Sequence, residues 1–392
     1  MIEVSDDEDR EGDTHSDLAL RARQDPAFLD IDVPQKDNPA YTVHYVGDVY
    51  KHLRSVQFCR LPEPGFMTKV QKDIEPNMRA ILIDWLVEVA DEYKLTSDTL
   101  YLTCSYIDRC LSKFSVNRSK LQLLGCSCML IASKFEEIYA PQVDEFVYIS
   151  DNTYTRQQIL KMEGKILHAL DFRLHTATPK LFQRRFLRAC RATNLEKMLA
   201  CYFLELHLLE IRFTTYLPDL IAAGCLYLSR TTLKVRARTF KIGDPSTDPL
   251  GPGLDPAAVD RHPWTPTLHH YSGYGEEQLA DCAEELRKMH VEHSGPGGKK
   301  KNGGLHAIFE KYSSDALLHV AAINPLTSHE LKNYKTLPID EKKCFRKSGR
   351  WDEFKCIGHG KKCRCVKHGH EIVGRPPWEP KPEPCESKQA HA

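Results

Sequence analysis

The amino-acid sequence predicts an all-α protein built from two similar helical modules. Apolar residues recur at the three- and four-residue spacing of helices from residue 77 onward. Thr178-Pro179 and Thr265-Pro266 each place a capping residue directly before a proline, a pattern typical of helix starts. Five predicted helices, a short linker near 173–177 and about five further helices indicate two copies of one unit.

Composition narrows the class of protein. The 392 residues carry 54 basic and 54 acidic side chains. Two domains with tails are expected at this length, because a domain usually has roughly 100–200 residues. A net charge of zero argues against a general nucleic-acid binder, so we expect no direct nucleic-acid contact. No apolar stretch reaches the roughly 20 residues of a membrane span, so we expect no membrane contact.

The first part of the chain combines an acidic segment with one helix. Residues 1–38 are acidic and poor in apolar side chains, which predicts disorder. They also lack the basic and apolar regions of a secretory signal, so the 14 cysteines are expected to be free thiols in a reducing compartment. Tyr45, Val49, His52 and Leu53 lie at helical spacing and predict a helix over 41–58.

The first module is predicted over residues 77–172, within a domain that covers 39–172. Its first helix, 78–93, is apolar on nearly every side and is therefore expected to be a central helix packed by others. Helices over about 98–114 and 119–137 follow, and then a short helix after Pro141. The fifth helix begins at the capping box Thr155-Arg-Gln-Gln158.

The second module is predicted over 173–326. Its helices are expected to begin at Pro179, after a cap at Asn194, at Pro218, at Pro266 and near 275. A final helix is predicted over about 304–312. Residues 235–262 are rich in proline and glycine and are expected to form a surface loop insertion.

Residues 327–392 are predicted to form a separate, disordered basic tail. Residues 332–367 hold 12 Lys or Arg against four Asp or Glu. Seven Cys or His side chains fall within 344–370, which raises the alternative of a zinc site. Their spacing matches no standard zinc finger, so we expect no metal and no cofactor. The seven are Cys344, Cys356, His359, Cys363, Cys365, His368 and His370.

Sequence signatures of catalysis are missing. The glycine pairs at 297–298 and 303–304 lack the strand and the Lys-Ser/Thr of a phosphate-binding loop. No kinase catalytic motif and no nucleophile elbow occurs. The sequence therefore favours a helical interaction protein over an enzyme.

Four motifs, in order, resemble the cyclin box of A-type cyclins: MRAILIDW at 78–85, KLQLLG at 120–125, MLIASKFEEIYAP at 129–141 and EFVYISDNTYT at 145–155. The resemblance is dense over 41–172 and weaker to about 325. It implies two tandem five-helix cyclin-box folds. It also implies a non-catalytic subunit that forms a heterodimer with a cyclin-dependent serine/threonine kinase, activates it and controls progression through S phase and G2–M.

The resemblance implies a kinase-binding surface around the sequence SKFEE. The family's lysine at the position of Lys134, together with the acid at Glu163, binds the kinase backbone, and charge-assisted bonds of this kind are directional. The alternative for SKFEE is a solvated helix end, and for Phe135, Leu167 and Phe172 it is the core. The residues implied are Lys134, Phe135, Glu136, Glu137, Glu163, Leu167, Phe172, Tyr45 and Val49.

The resemblance also implies a groove for Arg-x-Leu peptides of substrates and inhibitors. An apolar stripe rimmed by an acid suits a peptide that carries a cation and a leucine. The alternative is that this stripe is core. The residues implied are Met78, Ile81, Leu82, Trp85, Glu88, Leu121 and Gln122.

Arg79 and Asp108 are charges within apolar helices, so each needs a partner. In the family the matching residues pair with each other, and we expect an internal ion pair rather than a ligand site.

Other functional classes remain to be weighed against the kinase activator. Cyclin-fold transcription factors carry basic faces on the helical core, whereas the basic run here lies in the tail. An enzyme with an unrecognised helical site is a third alternative. Basic clusters at Lys342-Lys343 and Lys361-Lys362 favour a nuclear location, with some protein in the cytoplasm.

Overall fold

A computed structural model describes residues 29–239, 262–294 and 305–334, together with three short strands between 354 and 372. The chain divides into two compact units, residues 1–334 and residues 335–392. The first unit is helical. Its helices within the described residues are α1 Val46–Gln57, α2 Phe66–Lys69, α3 Pro76–Glu92, α4 Ser97–Lys113, α5 Leu121–Glu136, α6 Val143–Ile149, α7 Arg156–Ala169, α8 Pro179–Ala189, α9 Asn194–Leu206, α10 Pro218–Thr239, α11 Pro266–Ser272, α12 Glu276–His293, α13 Ala307–Lys311 and α14 Ser328–Asn333.

The two predicted five-helix modules are present as α3–α7 and α8–α12. In the first module α5 is the central helix, because it packs against α3, α4, α6 and α7. The first helix, α3, is packed by others, as predicted: it contacts α4 and α5 within the module. It also packs on the 3₁₀ turn His207–Leu209 and on α13, both of which follow the first module.

Some predicted helix caps form and others do not: Thr265 accepts from the Leu268 N–H at the start of α11, whereas the Thr178 side chain makes no capping hydrogen bond at the start of α8. Thr155 and Gln158 form the predicted capping box of α7, with each backbone N–H donating to the other's side chain. The predicted cap at Asn194 is wrong by one residue, because Thr193 forms the box with Glu196. The motif Thr-x-x-Glu that begins at Thr193 is the stronger signal.

A buried ion pair joins the modules. Arg79 Nε donates to Asp108 Oδ1 at 2.5 Å and Nη2 donates to Oδ2 at 2.7 Å, which confirms the predicted internal pair. Arg79 Nη1 also donates to the carbonyl oxygen of Leu208 at 2.9 Å. Asp84 accepts hydrogen bonds from the first N–H groups of α13, at His306 and Ala307. Two charged residues of α3 therefore fix the position of the second module.

Residues 29–38, which fall within the segment predicted to be disordered, pack on the helical unit. Ile31 and Asp32 are buried. Arg185 of α8 donates two hydrogen bonds to the Asp32 carboxylate, at 2.8 and 2.5 Å, and thereby compensates its burial. Residues 1–28 lie outside the described residues.

Two further boundaries differ from the prediction. Helix α10 continues to Thr239, so the insertion does not begin at residue 235, and residues 240–261 lie outside the described part of the chain. Helix α14 belongs to the first unit, because Leu331 and Tyr334 are buried and α14 packs on α10 and α12. Residues 327–334, predicted as the start of a separate tail, therefore pack on the helical unit through this apolar contact.

The second unit contains strands β1 Phe354–Cys356, β2 Cys363–Cys365 and β3 Glu371–Ile372 in an antiparallel sheet. The sequence analysis predicted only disorder here, because strands of two or three residues are too short for alternation to be recognised. Cys356 lies in β1, and Cys363 and Cys365 lie in β2, whereas Cys344 and the three histidines of this segment lie outside the described residues. In the described part of the chain, no three His, Cys, Asp or Glu side chains are grouped so that they could hold a metal ion. None of the described helices combines the length and apolar character needed to cross a bilayer.

Candidate functional site

Lys134 and Glu163 form an ion pair on the surface of the first module. Lys134 lies in the last turn of α5 and Glu163 lies midway along α7. The Lys134 Nζ atom is 2.6 Å from Glu163 Oε1, and the two side chains are 47% and 14% exposed. The packing of α5 against α7 brings the two residues together. The pair thus presents further donor and acceptor capacity to a partner.

Exposed apolar side chains lie near the ends of α5 and α7, the two helices that carry this pair. Phe135 follows Lys134 and is 45% exposed, and Phe172, just after α7, is 61% exposed. Leu167 lies one helical turn after Glu163 on α7 and is half-buried. The alternative that Phe135 and Phe172 are core is therefore wrong. An exposed apolar group of this kind is typical of a protein interface.

Sequence analysis missed two neighbouring residues. Ile138 and Tyr139 follow α5 and are 91% and 92% exposed, the highest values among the exposed large apolar side chains described. The signal available in the sequence was the placement of two large apolar residues between the end of α5 and Pro141. Because loop residues that expose apolar side chains often bind partners, both extend the candidate surface.

Phe172 is held in a conformation that L-residues rarely adopt. Its φ is +55° and that of Asp171 is +53°. The Phe172 N–H donates to the Leu167 carbonyl oxygen at 3.0 Å, and the ring contacts His168 edge-on at 5.5 Å between centroids. Such backbone strain costs about 1–3 kcal/mol per residue and is often found at functional sites.

Glu136 and Glu137 differ in their exposure and in their hydrogen bonds. Glu136 is exposed. Glu137 Oε1 accepts hydrogen bonds from Thr96 N and Thr96 Oγ1, at 2.8 and 3.0 Å, and from the Thr99 hydroxyl. The Glu137 carboxylate therefore caps the start of α4 and stabilises the positive end of that helix. A contact between Glu137 and a kinase stays a prediction.

Tyr45 and Val49 lie one turn apart at the start of α1 and are 69% and 47% exposed. The end of the helical segment that follows α1 is tied to the region after Phe172. Arg60 Nη1 donates to the carbonyl oxygens of Arg173 and His175, at 3.3 and 2.9 Å. These hydrogen bonds hold the segment after α1 against the linker between the two modules.

The predicted groove has a buried floor and an exposed rim. Leu82 and Leu121 are buried, whereas Ile81 is 46% exposed, and Met78, Trp85 and Gln122 are partly exposed. The core alternative is thus correct for Leu82 and Leu121, whereas a peptide contact of the exposed rim stays a prediction.

Gly125 of α5 sets the floor of the groove. A Cβ atom at Gly125 would lie 2.8 Å from Leu82 Cδ1, closer than real contacts allow. The glycine therefore lets α3 approach α5 closely enough for Leu82 to lie beneath the rim.

The groove continues into an open, acidic cavity of about 700 Å³. Trp85 and exposed Glu88 contribute to its wall. Tyr93 Oη donates to the Glu145 carbonyl oxygen at 3.0 Å and links α3 to α6. The acidic residues of this cavity beyond Glu88 were not predicted. They are Glu92, Asp144 and Glu145.

Comparison with known proteins agrees with this geometry. Residues 48–175 match the family described as "Cyclin, N-terminal domain", and residues 177–326 match "Cyclin, C-terminal domain". The rice (Oryza sativa subsp. japonica) protein Cyclin-A1-4 is 42% identical over 299 residues, which cover 75% of each chain.

Other A-type relatives are longer. Cyclin-A1-1 of the same rice is 40% identical over 82% of this chain and 58% of its own length. Cyclin-A2-1 of Arabidopsis thaliana is 42% identical over 78% of this chain and 62% of its own length. The chain thus spans about 60% of the length of these two curated relatives.

Two consecutive family matches and A-type relatives at about 40% identity agree with the two five-helix modules. The chain belongs to the cyclin family and resembles its A-type members.

Proposed function

We propose that this chain is the regulatory subunit of a cyclin-dependent serine/threonine kinase, which it binds and activates without catalysing a reaction itself. The observation that carries the proposal is the Lys134–Glu163 pair beside the exposed rings of Phe135 and Phe172. Its family membership and its A-type relatives support the same role in the cell cycle.

The proposed surface binds its partner in two ways. The Lys134 ammonium has donors in addition to the one used on Glu163, and the carboxylate has free lone pairs for backbone N–H groups. Charge-assisted bonds to backbone groups fix a loop in one geometry. Phe135 and Phe172 supply apolar area that a partner removes from water. Activation then consists of holding a mobile element of the kinase in its active position.

We further propose that the groove docks Arg-x-Leu segments of substrates and inhibitors. The buried Leu82 and Leu121 offer an apolar floor, and exposed Glu88 supplies negative charge for the arginine. Action in S phase and G2–M and a mainly nuclear location belong to the same proposal.

The kinase-binding proposal is tested with the double variant Lys134→Ala, Glu163→Ala. Removal of a charged hydrogen-bonding pair from an interface costs about 2–5 kcal/mol, which corresponds to about 30- to several-thousand-fold in affinity. We therefore expect loss of binding to a cyclin-dependent kinase and loss of histone-type substrate phosphorylation. Helicity from circular dichroism should stay unchanged.

A matched control is the double variant Lys288→Ala, Glu285→Ala on α12. This pair has the same 2.6 Å separation, and its lysine is 46% exposed, against 47% for Lys134. We expect the control to retain binding and activation. Full kinase activation by the Lys134 and Glu163 variant would overturn the proposed interface.

Peptide docking is tested with Ile81→Ala combined with Glu88→Lys. Both side chains are exposed, so we expect a change in folding stability of less than about 1 kcal/mol. Fluorescence polarisation should show weaker binding of a labelled Arg-x-Leu peptide, while phosphorylation of a short peptide without that motif persists.

The control for docking is Leu160→Ala, which truncates a leucine of α7 that is 40% exposed. Peptide affinity should be unchanged in this variant. Equal peptide affinity in the groove variant and the parent protein would refute the docking proposal.

A further inference from the structure

Two arginines converge on one backbone carbonyl next to the candidate kinase-binding surface. Arg60 Nη1 donates to the Arg173 carbonyl oxygen at 3.3 Å, and Arg109 Nη2 donates to the same oxygen at 2.9 Å. Arg60 also donates to the carbonyl oxygen of His175 at 2.9 Å. Two guanidinium groups that share one neutral acceptor keep their full positive charge.

Arg109 is the more unusual of the two. It is only 9% exposed, and its Nη1 atom is buried without a hydrogen-bond partner among the described residues. Burial and the neighbouring charge of Arg60 lower the pKa of Arg109. Asp171 exerts a weaker, opposing influence. No ion pair joins Arg60 or Arg109 to a carboxylate in the described part of the chain, in contrast to the fully paired Arg79. A buried cation without a counter-charge is costly and favours an anion.

Two histidines complete the cluster. The rings of His52 and His175 are stacked, with centroids 6.3 Å apart and an interplanar angle of 13°. Burial lowers the pKa of His175, and the neighbouring His52 and Arg60 lower it further. Both histidines are exposed to solvent, whereas Arg109 is buried.

We propose that Arg60, Arg109 and His175 form a binding site for a phosphoryl group. The hydrogen bonds of Arg60 to described residues all come from Nη1, so Nε and Nη2 remain for a planar, two-point contact with phosphate oxygens. Arg109 supplies a buried positive charge, and the exposed His175 ring supplies a further donor. The negative charge of the phosphoryl group thus neutralises the positive charges of Arg60 and Arg109.

The position of the site favours a phosphorylated side chain of a protein partner. Arg173, whose carbonyl oxygen both arginines bind, directly follows the exposed Phe172. A partner on the kinase-binding surface therefore lies next to the cluster, and this assignment of the source rests on the proposed function. Two arginines and one histidine carry enough positive charge for a single phosphoryl group but too little for a polyanion.

The test uses the full chain alone, so it does not depend on kinase binding. Inorganic phosphate is titrated into the parent protein and into Arg60→Gln, with calorimetry and histidine NMR signals as readouts. Arg60 is partly exposed, and glutamine keeps an N–H donor for the backbone carbonyl oxygens that Arg60 binds, so the substitution should retain the fold. We expect phosphate affinity to fall about tenfold or more in Arg60→Gln. Bound phosphate should raise the pKa of His175 in the parent protein only.

Arg156→Gln is the matched control, because Arg156 is a surface arginine that already has a carboxylate partner, Asp144, at 2.6 Å. Its phosphate affinity should equal that of the parent. Equal losses in both variants, or no phosphate-dependent change at His52 and His175, would refute the site.

A second arm distinguishes the sources of phosphate. A short peptide with one phosphothreonine should compete with inorganic phosphate, whereas its unphosphorylated counterpart should not. Binding of inorganic phosphate without binding of the phosphopeptide would overturn the assignment to a protein partner. Loss of kinase binding in the Lys134 and Glu163 variant is scored separately, so the two proposals fail independently.

Discussion

Phe172 shows how one residue can carry both a cost to the fold and a role on the surface. Its ring is 61% exposed, so little apolar burial compensates its left-handed backbone. The Arg79–Asp108 pair is the opposite case, since it is buried and fully hydrogen-bonded and joins the two modules. The exposed Phe172 ring and the buried Arg79–Asp108 pair each break a general rule of side-chain placement, but only Phe172 leaves its side chain accessible from solvent.

We predict that Phe172→Gly stabilises the free protein and weakens kinase binding. Glycine adopts positive φ without steric cost, so relief of strain should add about 1 kcal/mol to the free energy of unfolding. Loss of the exposed ring should remove about 1–3 kcal/mol of binding free energy. Urea unfolding and a kinase titration measure the two effects.

Asp171→Gly is the control for Phe172→Gly, because Asp171 has nearly the same φ, +53°, and carries no apolar ring. It should gain stability and keep kinase affinity. Unchanged kinase affinity in Phe172→Gly would exclude this ring from the interface.

Among the single helices, α14 is the one that forms the end of the helical unit. Leu331 and Tyr334 are buried, and Tyr334 Oη donates to Glu276 at 2.7 Å. Arg236 of α10 forms an ion pair with Glu330 at 2.9 Å. These contacts close the far side of the second module, beyond the residues that match the C-terminal cyclin domain.

We predict that a chain ending at Tyr334 is as stable as the full chain, whereas one ending at Leu326 is less stable. Each large apolar side chain contributes about 1.5–3 kcal/mol when fully buried, so the shorter chain should lose about 3–6 kcal/mol. Chemical denaturation of the three chains measures the difference. Equal stability of the chains that end at 326 and 334 would contradict a structural role for α14.

Two buried histidines link acidity to the stability of the whole molecule. His207 lies between the modules, where its ring stacks on Tyr101 of α4 with centroids 6.1 Å apart. Burial lowers its pKa to about 4. His290 of α12 contacts the ring of Phe203 at 4.8 Å, and burial lowers its pKa to about 3.

We predict that the free energy of unfolding falls as the pH drops from about 6.5 toward 4. In this range the unfolded chain binds a proton at each histidine, whose ordinary pKa is about 6.5, while the folded chain does not. Each site contributes a slope of about 1.4 kcal/mol per pH unit, and the loss ends once the pH falls below the folded pKa. Urea denaturation at several pH values measures this slope.

The variant His290→Leu should reduce the slope by about one histidine, or 1.4 kcal/mol per pH unit. Carboxylates titrate equally in both proteins, so the difference between the two slopes isolates His290. The same slope in both proteins would contradict its burial as a neutral group.

The sequence by itself determined which segments are helical and where most helices start. Capping boxes, proline at first turns and apolar spacing are local signals, and local backbone energetics decide them. Motifs such as MRAILIDW lie within single helices, so the resemblance to the cyclin family could be seen in the sequence, and that resemblance implied Asp108 as the partner of Arg79.

The tertiary structure alone decided which apolar residues are exposed and where the ordered unit begins and ends. The sequence shows that Ile81 and Leu82 are both apolar, but not which of them is buried. The close approach of α3 to Gly125 places Leu82 in the floor of the groove, whereas Ile81 lies on its exposed rim. Residues 29–38 appear disordered by composition, yet Arg185, more than 150 positions away, neutralises Asp32. Burial depends on contacts between distant residues, and the spacing of residues along one helix does not specify those contacts.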